Sequence, residues 1–208
     1  EGASGASELS SLILEVADEL HVLQPQASVH ISDKTPERFL REACRVIRKG
    51  RGYPSVFNAD ATVLEMLRAG KRIEDAREGG CSGCVETGAF GKEAYILTGY
   101  LNVPKVLELA LNNGVDPLTG EAVGPPTGAA AGFGSFEQLY AAFEKQLEWV
   151  VDLKVRVNNF IERMFADHSP APFLSVVISD CIAKGRDYYD GGPRYNTNYI
   201  QCCGIGTV

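Results

Sequence analysis

The chain has 208 residues, of which 45% are apolar, so it can form one domain or part of a larger one. Its 20 basic and 27 acidic side chains give a formal net charge of −7, which excludes the broad basic surface typical of a nucleic-acid-binding protein. No apolar run approaches the roughly 20 residues that span a bilayer. Residues 1–7 lack the features of a signal peptide, so we expect a piece of a longer cytoplasmic protein.

Apolar periodicity and capping signals predict five helices along the chain. Ser7 is the expected cap of the first, Thr35 and Pro36 begin the second, and Ser135 opens the longest. The predicted helices begin near residues 9, 36, 60, 104 and 136 and end near residues 20, 50, 70, 114 and 167. On the first helix, one face carries Leu9, Leu12, Ile13, Val16 and Leu20.

Short runs with strand-like composition separate these helices. They cover residues 28–32, 54–58 and 173–178, and the alternation of strands with helices predicts an α/β fold. Residues 114–134 are rich in glycine, proline and alanine, which favours a surface loop over a functional one.

Residues 77–88 concentrate the groups that could do chemistry. Four glycines surround Cys81, Cys84 and Glu86 in this segment. Glycine permits backbone angles that other residues avoid and lets a ligand approach the main chain. Because side chains alternate along an extended chain, the Cys84 thiol and the Glu86 carboxylate are predicted to face one cavity.

Spacing alone leaves three interpretations of Cys81 and Cys84 open. The pair could be half of a zinc site, although a second pair of ligands at suitable spacing is missing. It could be a thioredoxin-like redox pair, although that pair sits at a helix N-terminus rather than among glycines. It could also consist of two inert, buried thiols. With six cysteines and no secretion signal, a disulfide framework is not expected.

Three motifs, in order, resemble the glycyl radical enzymes of the pyruvate formate-lyase-like family. They are Tyr-Pro-Ser-Val-Phe-Asn at 53–58, Gly-Cys-Val-Glu at 83–86 and Gly-Gly-Pro-Arg-Tyr-Asn-Thr at 191–197. The resemblance extends from about residue 7 to residue 208. Within the family, residues 80–100 are most similar to the branch that dehydrates trans-4-hydroxy-L-proline to a pyrroline-5-carboxylate.

The resemblance implies a role for three residues. Cys84 would carry the thiyl radical, Glu86 would act as the acid–base group, and Tyr100 would line the substrate pocket. From the residues alone, Tyr100 could instead be a core aromatic, and Glu86 a helix cap or an ion-pair partner. The implied fold is part of an α/β barrel with surrounding helices, and residues 1–208 would be an internal segment of that single domain.

The family's radical-bearing Arg-Val-x-Gly-Tyr motif is not found in these 208 residues. The resemblance therefore implies a glycyl radical on a C-terminal loop outside this chain, installed by a radical S-adenosylmethionine activating enzyme, with no metal or organic cofactor bound. It also implies a homodimer of the complete protein, anaerobic life, and no turnover by this segment alone. The alternatives are a glycyl radical lyase with another substrate, an arylacetate decarboxylase, or a non-catalytic spare part.

Overall fold

A computed structural model describes residues 6–21 and 24–208. Residues 1–5, which entered the signal-peptide argument, and residues 22–23 lie outside that description. The described chain divides into two compact units. The first contains the residues up to Tyr95, Phe173–Gly185 and Gly191–Asn196, and the second contains Ile96–Pro172, Arg186–Asp190 and Thr197–Val208.

The described residues contain both helices and strands, so the prediction of a mixed helix and strand fold is confirmed. The helices are α1 Glu8–Leu20, α2 Glu37–Ile47, α3 Ala59–Arg68, α4 Ile73–Arg77, α5 Val103–Leu111, α6 Phe136–His168, α7 Pro172–Val177 and α8 Cys181–Lys184. The strands are β1 Ser28–Ile31, β2 Ser55–Asn58, β3 Gly80–Ser82, β4 Glu86–Gly88, β5 Glu93–Asn102 and β6 Tyr195–Cys203. A closed barrel stays a prediction.

The first unit is built on a parallel strand pair. β1 and β2 pair from Ser28 opposite Ser55 to Ile31 opposite Asn58, and α2 forms the connection between them. Parallel strands need such a crossover, because a tight turn can only reverse the chain. α1 and α2 cover the pair through a core that consists of Leu14, Val29, Phe39 and Ala43. Both strands were predicted from the sequence, and their positions are confirmed.

α1 begins as predicted but buries a different face. The Ser7 hydroxyl accepts a hydrogen bond from the Ser10 amide, which confirms the cap. The predicted apolar face is 42–66% exposed at Leu9, Leu12, Ile13, Val16 and Leu20. The buried side chains are Leu14 and Asp18. The buried Asp18 carboxylate forms ion pairs with the Lys49 ammonium, at 2.6 Å, and with the Arg51 guanidinium, at 3.4 Å. These ion pairs stabilise the burial of this face.

Among the later helices, α2 and α3 begin one residue away from the predicted position. Pro36 is the N-cap of α2 rather than its first residue, and the Thr35 hydroxyl accepts from the Ser32 amide outside the helix. Asn58 caps α3, which begins at Ala59 where the sequence predicted a start near residue 60. α6 begins after Ser135, whose hydroxyl accepts from the Gln138 amide, so the signal for the longest helix is confirmed.

The third predicted strand is wrong. Residues 173–178 fall mostly in α7, which begins at Pro172. A short apolar run does not distinguish a strand from a helix, and proline favours the first turn of a helix. Sequence reasoning also missed the short helices α4 and α8 and the strands β3 to β6, of which β3 and β4 are only three residues long.

The second unit packs α5 and the start of α6 against β5 and β6, which form a two-stranded sheet. Its core contains Leu101, Val103 and Val106, with Phe143 and Ile200 packed against them. Residues 114–134 contain isolated bridges and one short 3₁₀ turn, Ala130–Gly132, and most of their side chains are exposed. No described helix combines the length and the apolar character needed to cross a membrane.

Asp75 on α4 connects the segment before β3 to two later segments of the first unit. Its side chain is buried, and its carboxylate receives Lys92 at 2.9 Å, Arg194 at 3.2 Å and the Tyr195 hydroxyl at 2.7 Å. Burial alone would raise the pKa of Asp75, but these hydrogen bonds prevail and hold that pKa far below its usual range. Asp75 is therefore ionised wherever the protein is folded near neutral pH.

A second buried ion pair lies beside the first. The Lys71 ammonium is 2.7 Å from Glu93 Oε2, and both side chains are almost fully buried. The same carboxylate oxygen accepts from the Ala89 amide at 2.7 Å. Lys71 and Asp75 precede the β3–β4 hairpin, whereas Glu93 and Lys92 follow it. The two pairs thus join the chain on either side of the hairpin.

We expect Glu93→Gln to lower the free energy of unfolding by about 3–5 kcal/mol, because the Lys71 ammonium stays buried without its anion. The matched control is Glu37→Gln, which removes a pair with Arg41 whose side chains are 75% and 78% exposed. It should cost less than about 1 kcal/mol. Urea unfolding of each variant gives the comparison, and equal losses would contradict a structural role for the buried pair.

Asp75 should also make stability depend on pH at the acid end. Its folded-state pKa lies below that of the unfolded chain, so its contribution is present above about pH 4 and is lost as pH falls. Asp75→Asn should therefore be less stable than the parent at pH 6 and should lose less stability between about pH 5 and pH 2. Urea midpoints across that range measure the difference, and parallel curves would refute the assignment.

Candidate active site at the Cys84 hairpin

Cys84 lies at the apex of a short β-hairpin. β3 and β4 pair antiparallel, with Gly80 opposite Gly88, Cys81 opposite Thr87 and Ser82 opposite Glu86. Residues 83–85 form the turn, and Gly83 has φ +55°, in the left-handed region that glycine adopts without strain. Cys84 is exposed in the described chain. The hairpin therefore presents the predicted radical-bearing thiol at its tip.

Glu86 holds this turn through its carboxylate. Oε2 accepts hydrogen bonds from the Cys84 amide at 3.0 Å and from the Val85 amide at 3.2 Å. A Cβ at Gly83 would lie 3.0 Å from the same oxygen, so a larger residue there would crowd the contact. The carboxylate bends back over the turn, a contact that the alternation argument did not predict. A cavity shared by thiol and carboxylate stays a prediction.

Cys81 has a different environment from Cys84. Its side chain is buried, and Sγ lies 3.7 Å from the Thr62 hydroxyl oxygen. Burial is the largest cause that raises the pKa of the Cys81 thiol, so this sulfur stays protonated. The description of an inert thiol fits Cys81 and does not fit the exposed Cys84.

The other interpretations of the two cysteines can be compared with the geometry. A thioredoxin-like pair sits at a helix N-terminus, whereas Cys81 and Cys84 lie in a β-hairpin, so that interpretation is wrong. Among residues 6–21 and 24–208, no group of three or more His, Cys, Asp or Glu side chains is arranged to hold a metal ion.

His30 on β1 contacts the hairpin from its side. Its Nε2 accepts a hydrogen bond of 2.8 Å from the Cys81 amide, so the ring is neutral and carries its proton on Nδ1. Burial lowers the pKa of His30, which favours that neutral form. Sequence reasoning missed this contact, because 51 positions separate the two residues and no local pattern indicates it.

Tyr100 lies on β5 in the second unit and is 62% exposed. Its side chain packs in no core of the described residues. Its place in a substrate pocket stays a prediction. Glu86, in turn, is neither a helix cap nor a member of an ion pair in the described part of the chain.

The arrangement at the hairpin suits a thiol that exchanges hydrogen atoms beside a group that exchanges protons. The thiol is accessible, its turn is held by two amide contacts, and a carboxylate lies two residues away. In the part of the chain that the structure describes, Glu86 Oε1 makes no hydrogen bond.

The chain was compared with known proteins by sequence. It is 53% identical to trans-4-hydroxy-L-proline dehydratase from Clostridioides difficile, over all of this chain and 26% of that protein. It is 32% identical to (2S)-3-sulfopropanediol dehydratase from Klebsiella oxytoca, over all of this chain and 25% of that protein. The chain thus spans about a quarter of the length of these curated relatives.

Comparisons with solved structures and with family models indicate the same kind of protein. The crystal structure of hydroxyproline dehydratase from Clostridioides difficile, with trans-4-hydroxy-L-proline bound, superposes with a TM-score of 0.92 at 54% identity. The match covers 97% of this chain and 26% of that one. The family model described as pyruvate formate lyase-like matches residues 1–208. The chain therefore belongs to the pyruvate formate lyase-like family.

Proposed function

We propose that these residues form the Cys-loop portion of a glycyl radical dehydratase that converts trans-4-hydroxy-L-proline to a pyrroline-5-carboxylate. The observation that carries the proposal is the 54% identity to a hydroxyproline dehydratase solved with that substrate bound, combined with a hairpin that carries Cys84 and Glu86. Residues 1–208 would belong to a single α/β barrel domain, whose remaining parts lie outside this chain.

In the proposed reaction, Cys84 is the hydrogen-atom carrier. A glycyl radical on a C-terminal loop outside these residues would supply the unpaired electron, and the exposed thiol at the turn is accessible to such a group. As a thiyl, Cys84 takes a hydrogen atom from the ring carbon beside nitrogen, which leaves a substrate radical that nitrogen stabilises. After water has left, Cys84 returns the hydrogen atom to the product radical.

Glu86 is the proton-transfer group in this proposal. A hydroxyl on an unactivated carbon leaves poorly, and protonation by a carboxyl group converts it to water. General acid–base groups of this kind contribute about 10²–10⁴-fold to a rate. Oε2 is already held by the turn, so Oε1 is the oxygen that meets the substrate. Tyr100 would line the pocket that holds the ring.

The complete protein would need further components. A radical S-adenosylmethionine activating enzyme would install the glycyl radical, and no metal or organic cofactor would be bound. We infer a homodimer in an anaerobic cytoplasm. The 208-residue chain by itself would be inactive, because the radical-bearing loop lies outside it.

The central test replaces the thiol. In the complete protein, after anaerobic activation, Cys84→Ser and Cys84→Ala should abolish consumption of hydroxyproline while the glycyl radical still forms. A serine O–H bond is too strong for a glycyl radical to break usefully. Cys81→Ser is the matched control and should keep turnover, because its sulfur is buried. Substrate loss gives the rate, and electron paramagnetic resonance gives the radical content.

Two outcomes of that experiment would count against the proposal. Turnover by Cys84→Ser together with an inactive Cys81→Ser would show that the thiyl has been assigned to the wrong cysteine. If hydroxyproline is inert but sulfopropanediol, glycerol, choline or isethionate is consumed, the substrate assignment is wrong and the chemistry remains.

Two substitutions of Glu86 separate its hydrogen bonds to the turn from its transfer of a proton. Glu86→Gln keeps an oxygen that accepts from the Cys84 and Val85 amides, but it cannot carry the proton. It should lower kcat by about 10²–10⁴-fold and leave KM nearly unchanged. Glu86→Ala removes both functions and should also raise KM. Near-normal kcat in Glu86→Gln would refute the acid–base role, and steady-state kinetics of activated enzyme decides it.

A further inference from the structure

The outer edge of β3 carries a buried amide that the hairpin cannot satisfy. β3 pairs with β4 in a two-stranded sheet, and among the described residues no strand is hydrogen-bonded to its other edge. The Cys81 amide donates on that edge, to His30 Nε2 at 2.8 Å. Because Cys81 is buried, water cannot replace this acceptor without a rearrangement. The imidazole therefore completes the hydrogen bonding of the strand that leads to Cys84.

The position of the imidazole is itself constrained. His30 pairs with Phe57 in the β1–β2 register, and the two rings stack with centroids 5.7 Å apart and planes 29° apart. On the opposite side, a Cβ at Gly80 would lie 2.9 Å from His30 Cε1 and Nε2. A glycine in β3 thus allows the ring to approach the backbone closely.

The hairpin is short enough for a shift at Cys81 to reach its tip. Cys81 precedes Cys84 by three residues, and its register partner Thr87 follows Glu86 directly. With only three residues in each strand, little structure can absorb a displacement. Displacements of about 1 Å at reacting groups can cost about a hundredfold in rate.

We propose that His30 is a positioning residue of this site, which fixes the Cys84 turn and the Glu86 carboxylate through its hydrogen bond to the Cys81 amide. The part of the proposal that concerns catalysis rests on the proposed function. The part that concerns the shape of the hairpin depends only on the contacts described above.

Two substitutions of His30 separate the acceptor from the ring. His30→Phe keeps an aromatic ring against Phe57 and removes the acceptor, whereas His30→Gln keeps an acceptor near the position of Nε2 and removes the ring. In the complete, activated protein, His30→Phe should lower kcat by about tenfold to a hundredfold with little change in KM. His30→Gln should restore most of that rate, with equal glycyl radical content in all three proteins.

A second readout does not require turnover. Alkylation of Cys84 by iodoacetamide, followed by peptide mass spectrometry, reports the exposure of the turn, with the exposed Cys44 on α2 as internal reference. The ratio of Cys84 to Cys44 rates should rise in His30→Phe and stay at the parent value in His30→Gln. His168→Phe is the matched control, because it makes the same substitution at an exposed histidine at the end of α6, and its ratio should also stay at the parent value.

The outcomes distinguish this proposal from the function on which it rests. If the parent protein consumes no substrate, the proposed dehydratase fails, and the alkylation ratios still decide the role of His30. Parent-like ratios and rates in His30→Phe would overturn the proposal. Equal impairment of His30→Phe and His30→Gln would also overturn it, because ring packing rather than the hydrogen bond would then be responsible.

Discussion

Asp75 is the residue on which the arrangement of the first unit depends most. Its buried carboxylate joins α4, Lys92 just beyond the hairpin, and the segment that carries Arg194 and Tyr195. A buried carboxylate without these partners would be strongly unfavourable, and the partners would lose their anchor without it. The interaction therefore fixes where the chain enters the hairpin and where it leaves, across almost 120 residues of sequence.

The parts of the fold that sequence reasoning predicted are those with local causes. Ser7, Ser135 and the strand composition at 28–32 and 54–58 act within a few residues, and the structure confirms the helices and strands that they indicate. The strand predicted at 173–178 failed for the same reason, because Pro172 and a short apolar run admit both strand and helix locally.

In the candidate site, too, the features with local causes could be predicted and the contacts between distant residues could not. Cys84 and Glu86 share one turn, so their proximity could be predicted from spacing, and their roles came from resemblance to a family. His30 contacts Cys81 across 51 positions of sequence, and Asp75 contacts Arg194 across 119, and only the folded chain creates these contacts. The motif at 191–197 was recognised as a family feature, whereas the ion pair of Arg194 with Asp75 could not be derived from it.

The three-residue strands of the hairpin have a consequence for its dynamics. An isolated two-stranded hairpin is marginally stable in water, so nearly all of its stability must come from the contacts around it. Neighbouring residues bind the Cys81 amide and both ends of the hairpin. Local unfolding of the hairpin alone should therefore require a high free energy. Its backbone amides should then exchange with solvent together with α4 and β1, as one cooperative unit. The stability of the turn that carries the Cys84 thiol is then set by the surrounding unit rather than by the loop itself.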